Sequence, residues 1–265
     1  MKKYFSEKLR INPIEIKDKV YYYGSEDEGD QFGKEQLQEW VNSGWLLSNW
    51  NLKINKGESD AFTTLAKKVV EINLPYVEIA CGPGLGLTPC IKKQNPSLEA
   101  LISDACPYVV EGWKEVIRKN NLTSNISYAS FSITNMPFKD NSIEVITSYV
   151  GIGSTRFNGE NGMSAINEIY RVLNKGGYLI TIENEISDYK IVDDIFSEAN
   201  RFNYYKQFEN YGSIVDRLTR AGFTISELTF LGKKKVTEDD NELGELSKEQ
   251  KKDVYWNVYA IIAKK

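Results

Sequence analysis

Apolar and polar positions along this chain switch repeatedly between two periods. Residues 74–80 form a short apolar run, which breaks at Gly82, Gly84 and Gly86 and then turns amphipathic. That order predicts a strand over 75–80, a tight turn and a helix over 87–93. The alternation then recurs. Residues 98–103 predict a second strand ending in Asp104, and a helix over 108–120 follows, with Pro107 suited to its first turn. Residues 125–131 and 142–149 read as the third and fourth strands. Ile166, Ile169, Tyr170 and Leu173 share one face of a helix over 164–173, and Asn174-Lys175-Gly176-Gly177 is a glycine-type stop. A fifth strand follows over 178–182, then helical material over 188–200 and 211–221. Two late strands are predicted over 223–231 and 254–263. The charged stretch 233–252 between them reads as a solvated excursion.

Five strand–helix alternations predict a mostly parallel sheet with helices on both faces. Two final strands with no clear helix between them are most simply antiparallel neighbours. Ahead of the first strand, Ser59-Asp60 suits the cap of a helix with Phe62, Leu65, Ala66 and Val69 on one face. Residues 33–50 also read as helical, with Leu37, Trp40 and Val41 aligned and Trp45 and Trp50 beyond Gly44. These aromatics suit either packing onto the main domain or a lid over an apolar or cationic ligand. Residues 1–30 are polar and irregular, with an acidic run over 26–30, and predict a loosely attached arm. The expected division is an N-terminal arm and lid helix over 1–58 and one folded domain over 59–265.

Composition narrows the chemistry. The net charge of −4 disfavours a broad phosphate-binding face, so no nucleic-acid partner is expected. No run of about 18 apolar residues exists, and the basic start is not followed by an apolar stretch. Neither a membrane partner nor secretion is therefore expected, and the location is read as cytoplasmic. The three cysteines, Cys81, Cys90 and Cys106, lack ligand-pair spacing and read as reduced thiols with no metal. They suit close packing under the turn, with thiol chemistry as the alternative. There is no histidine, which removes His-based triads and the commonest general base.

Open α/β sheets bind ligands outside the C-terminal strand ends, at the point where strand order reverses. The candidate residues there are Glu78 with the glycine turn, Asp104, Ser132-Ile133, Ser148-Tyr149, and Glu183-Asn184. Asp104 lies about 20 residues past the turn, where a carboxylate can accept from a ribose diol. A dinucleotide site needs its third glycine three residues after the second. Here the spacing is two, and an acid stands inside the first strand.

Four segments in order resemble the class I S-adenosylmethionine-dependent methyltransferases, in their small-molecule branch. They are Glu78–Gly86, Asp104, the stretch from Asn135-Met136-Pro137-Phe138 to Val145, and Ile166-Asn167-Glu168-Ile169-Tyr170-Arg171-Val172-Leu173 with its glycine stop. The resemblance covers roughly 60–265. It implies a Rossmann-like, doubly wound seven-stranded sheet with an antiparallel last strand. It implies S-adenosylmethionine as cofactor, no metal, and a small-molecule acceptor. Ala80, Cys81, Gly82 and Gly84 would pass under the cofactor, with Glu78 near its amino group or supporting the turn. Asp104 would take the ribose, Ala105 would lie beside the adenine, and Ser132 and Ile133 would flank its edge. Tyr149 would lie near the sulfonium. The candidate bases are Tyr149, Glu183 and the arm tyrosines, with Glu183 the best placed, at its strand's C-terminal end. Two positions depart from the family pattern: Ala80 stands where Gly is frequent, and Ser132 where Asp is frequent. The alternatives are a non-catalytic cofactor-binding or regulatory protein, and a protein methyltransferase. The acceptor and the oligomeric state are not legible.

Overall fold

The computed structural model describes residues 1–24, 32–51, 56–154, 162–201, 212–238 and 242–265. The acidic run 26–30 falls outside the described residues. The central strands are β3 (Tyr76–Glu78), β4 (Ala100–Asp104), β5 (Ile126–Ser130), β6 (Ile143–Tyr149) and β7 (Leu173–Ile186). They are mutually parallel in the order β5-β4-β3-β6-β7. Strand order reverses at β3, where the chain steps first to β4 and later to β6. The late strands are β8 (Thr224–Lys235) and β9 (Tyr255–Lys264); β9 is antiparallel to both β7 and β8. The expected antiparallel end is therefore present.

Seven strands were expected, and among the described residues there are nine. The additional pair comes from the segment read as a loose arm. β1 (Glu15–Lys17) and β2 (Val20–Tyr22) form a hairpin, and β2 pairs in parallel with β5. Phe5, in the short helix α1 (Lys3–Ser6), is fully buried, and Val20 and Tyr22 are buried beside Val110. Lys8 Nζ reaches the Glu144 carboxylate at 2.9 Å. Here a few well-spaced apolar residues outweigh the polar composition, because a sheet edge supplies backbone partners that local sequence cannot reveal.

The remaining helices are α2 (Lys34–Asn42), α3 (Trp45–Trp50), α4 (Lys56–Ile72), α5 (Thr88–Gln94), α6 (Pro107–Lys119), α7 (Gly151–Ser154), α8 (Gly162–Val172), α9 (Tyr189–Glu198), α10 (Ile214–Arg220) and α11 (Glu242–Gln250). One side of the sheet packs Phe62, Leu65 and Val69 of α4, Ile91 of α5 and Trp113 of α6 against alternate strand residues. The other side packs Ile166 and Ile169 of α8 and Leu218 of α10. The near-continuous burial along β4 and β6 is what a parallel sheet covered on both faces requires. The charged stretch read as an excursion contains α11. Its Leu243 and Leu246 join Val192, Ile195, Phe196 and Trp256 in a small core of their own. Two apolar residues three apart suffice when α9 and β9 offer a surface to cover.

Candidate functional site

The turn after β3 is stitched from both sides. Ile79 N–H donates to the Thr147 carbonyl of β6 (3.0 Å), and Cys81 N–H donates to the Ser103 carbonyl of β4 (2.8 Å). Between them Ala80 has φ +46°. The residue that departs from the family's glycine thus still takes the left-handed conformation favoured by glycine, at a cost of about 1–2 kcal/mol. Beyond it, a Cβ built on Gly82 or Gly84 meets nothing within 4 Å. The main chain there borders open space, which is what close approach of a ligand to the backbone requires.

Glu78 lies beneath this turn and is fully buried. Its Oε2 accepts from Leu87 N–H (3.1 Å), the Thr88 hydroxyl (3.1 Å) and the Thr147 hydroxyl (2.9 Å). Its Oε1 has no hydrogen-bond partner. Burial pushes its carboxyl up to about 7, against the pull of those donors. Of the two roles left open for Glu78, the geometry displays support of the turn.

Asp104 ends β4 at the open side. Its Oδ2 accepts from Gly82 N–H at 2.8 Å and its Oδ1 from Cys106 N–H at 2.9 Å. Each oxygen keeps lone-pair capacity for a further donor. Burial raises its carboxyl, and the two backbone donors oppose that rise. Ala105 is half-buried next to it, its carbonyl accepting from the Ser130 hydroxyl at 3.1 Å. Ser132 is half-buried and bonded through its hydroxyl to that of Thr134 (2.8 Å), while Ile133 is buried. Tyr149, at the end of β6, packs its ring 5.0 Å from that of Phe62. Val150 follows with φ +58°, an outlier for a β-branched residue. Glu183 is buried, and its carboxylate accepts from Ile152 N–H (3.3 Å), Gly153 N–H (3.0 Å) and the Thr181 hydroxyl (2.8 Å). Those bonds engage it with the start of α7. All three thiols are buried and pushed up by burial, so they rest protonated and fit close packing.

Two contacts on the turn were not legible in the sequence. Trp113 Nε1–H of α6 donates to the Gly82 carbonyl at 3.0 Å, and Asn49 Nδ2–H of α3 donates to the Pro83 carbonyl at 2.9 Å. The one available signal was Gly112, a glycine inside a helix: a Cβ there would overlap Leu37 of α2. This close approach seats the N-terminal helices against α6. Phe32, Trp40 and Trp45 continue from there as a chain of ring contacts at 4.8 and 5.1 Å. Among the described residues no cluster of His, Cys, Asp or Glu suits a metal ion.

The open backbone at Gly82 and Gly84, with Asp104 beside it, fits a ribose-bearing cofactor that lays its chain over the turn. Residues 77–181 match a family described as "Methyltransferase domain". A ubiquinone/menaquinone biosynthesis C-methyltransferase from Rhizobium rhizogenes is 25% identical over 159 residues, covering 60% of this chain and 59% of that protein. A demethylmenaquinone methyltransferase from Bacteroides fragilis is 28% identical over 140 residues, covering 52% and 50%. The chain thus spans between half and three fifths of these relatives' length. Among solved structures, the [4+2]-cyclase SpnF superposes with a TM-score of 0.54 at 16% identity, covering 88% of this chain and 97% of that one. A Bacillus halodurans protein provisionally assigned as a methyltransferase gives 0.52 at 18% identity, covering 75% and 97%. The superposed structures establish the Rossmann-like fold, and the family match over residues 77–181 agrees with the resemblance read from the sequence segments within that range.

Proposed function

We propose that this chain, whose residues 77–181 match a methyltransferase-domain family, is a class I enzyme that transfers a methyl group from S-adenosylmethionine to a small-molecule acceptor. The observation that carries this reading is the open main chain at Gly82 and Gly84 with the Asp104 carboxylate held against it. When bound, the cofactor supplies a methyl carbon already activated by the sulfonium charge. In this reading Asp104 accepts from the ribose hydroxyls, and Ala80, Cys81, Gly82 and Gly84 line the cofactor's chain. Ala105, Ser132 and Ile133 border the adenine. Tyr149, backed by Phe62, borders the methyl end. Glu78 holds the turn from below.

What the protein must add is alignment and exclusion of water, which together supply up to about 7–11 kcal/mol in favourable cases. A strong base is needed only for an acceptor that keeps its proton at neutral pH. The bonds that engage Glu183 with α7 favour its being a positioning group, and leave Tyr149 as the nearer candidate to touch the acceptor. The names of the relatives make a small carbon acceptor the first class to assay. No helix among the described residues is long and apolar enough to cross a membrane, which is compatible with a cytoplasmic site of action.

Calorimetric titration with S-adenosylmethionine and S-adenosylhomocysteine tests the cofactor, and methyl transfer from labelled cofactor into a metabolite extract tests the activity. Absence of binding by either ligand overturns the proposal. Binding without transfer supports the second reading, a cofactor-binding protein of another activity. That reading has one structural observation in its favour, since the fold is shared with a protein named as a cyclase.

A further inference from the structure

Among the described residues, β1 ends the sheet with no strand on its outer side. Its turn residues Asp18 and Lys19 have φ of +50° and +67°, the primed two-residue hairpin turn. Lys17↔Val20 closes that turn as the hydrogen-bonded pair, so Ile16↔Tyr21 is the non-hydrogen-bonded one. The N–H and C=O of Ile16 therefore point away from β2, toward the open side. Exposed sheet edges are normally blunted by charge or proline. β1 is short, follows Pro13 and carries exposed Glu15 and Lys17, yet its central Ile16 is 58% exposed, with Ile14 just ahead of the strand at 75%. Glu15 and Lys17 stand on the opposite face, both exposed.

We propose that β1 pairs antiparallel with β1 of a second copy, about a two-fold axis through Ile16, joining two sheets into one. A two-fold contact has to be complementary to itself. The triplet Glu15-Ile16-Lys17 meets that condition. Pairing centred on Ile16 exchanges two reciprocal Ile16 N–H···O=C bonds. It sets each Glu15 opposite Lys17 of the other copy, and it packs the two Ile16 side chains together. Pairing centred on Glu15 or on Lys17 instead sets like charges face to face, which destabilises a ladder. The charge pattern thus selects one register. It also favours a second copy over an anionic lipid surface. The groove beside the hairpin is lined by Lys17, Lys19, Lys114 and Arg118, but also by Asp18, Glu111 and Glu115. The inference is independent of the methyl-transfer reading.

Sedimentation equilibrium on the full chain, from about 5 to about 500 μM, spans the range over which a small interface is populated. The weight-average mass is expected to climb from 30.2 kDa toward twice that value. Lys17→Glu and Glu15→Lys each set like charges opposite one another in both halves of the contact. Each is expected to weaken the dimer by about tenfold or more. The double variant Glu15→Lys/Lys17→Glu restores the pairing with its sense reversed and is expected to recover the dimer. A folding defect in a single variant would show in circular dichroism, and the double variant still decides. A wild-type chain that stays monomeric throughout overturns the proposal. So does a dimer insensitive to both single changes, and so does a double variant that fails to recover. A monomer that instead co-sediments with phosphatidylglycerol vesicles, through Ile14 and Ile16, also overturns it.

Discussion

A Cβ placed on Gly86 would overlap the carboxylate of Glu78, 2.5 Å from its Cδ. The third glycine of the turn therefore faces a buried acid, whereas Gly82 and Gly84 face open space. Gly86 has φ +52° as well. The Glu78 carboxylate has little freedom to retreat, since its Oε2 holds donors from β6 and from the start of the α5 segment. Gly86→Ala is expected to destabilise the fold by about 2–4 kcal/mol, combining overpacking with left-handed strain. Urea unfolding followed by circular dichroism measures this. A midpoint equal to wild type would show that the turn relaxes freely.

The same carboxyl makes stability depend on pH. Its folded value, about 7, lies above the usual 4.5. Between those values the folded chain holds a proton that the unfolded chain has released. Its contribution is thus fully present below pH 4.5 and is lost as pH rises through 7. Unfolding free energy is expected to fall across that window in wild type, and to fall less in Glu78→Gln. Denaturation at pH 5, 6, 7 and 8 checks the sign. A slope shared by wild type and variant would assign the dependence to other groups.

Lys92 provides an opposite window. Its ammonium is buried and donates to the carbonyls of Leu98 and Asn125, and burial pushes it down to about 8 from 10.5. Between those values the unfolded chain binds more protons, so this group's contribution rises with pH. Lys92→Met is expected to lessen that rise in melts at pH 8, 9 and 10. An unaltered profile would rule Lys92 out as its source.

Asp104→Ala removes an acceptor placed for a ribose and leaves Gly82 and Cys106 N–H groups without it. Loss of a charge-assisted hydrogen bond is worth about 1.5–3 kcal/mol. Affinity for S-adenosylhomocysteine is expected to drop at least about tenfold by calorimetry. A folded variant with an unchanged dissociation constant would take Asp104 out of the site.

Trp113→Phe keeps the ring in the core but deletes the donor to the Gly82 carbonyl. An unsatisfied polar group there costs about 1–3 kcal/mol. A lower melting temperature is expected, with weaker cofactor binding alongside it. Weaker binding at wild-type stability would place the effect in the turn's geometry alone.

Most of the central elements were legible because their causes are local. The apolar run before Gly82, the proline-started helix after Asp104 and the late antiparallel pair each follow from period and punctuation over a dozen residues. The hairpin β1–β2 was not, because its three-residue strands join the sheet only through the pairing of β2 with β5, more than a hundred positions away. Helix α11 was missed for the same reason, since Leu243 and Leu246 acquire meaning only against α9 and β9.

At the site, the residue types and their spacing alone determined that strand ends bearing Glu78, Asp104, Tyr149 and Glu183 surround a glycine turn. Tertiary structure decided what each of them does there. It sent Gly82 and Gly84 outward and set Gly86 against Glu78. It engaged Glu183 with α7, and it brought Trp113 and Asn49 onto carbonyls 31 and 34 positions distant. Spacing sets the order of strand ends because it is fixed by chain geometry. The direction of a carboxylate or a peptide carbonyl depends on which buried donor reaches it first, and such donors come from elements that only folding brings together.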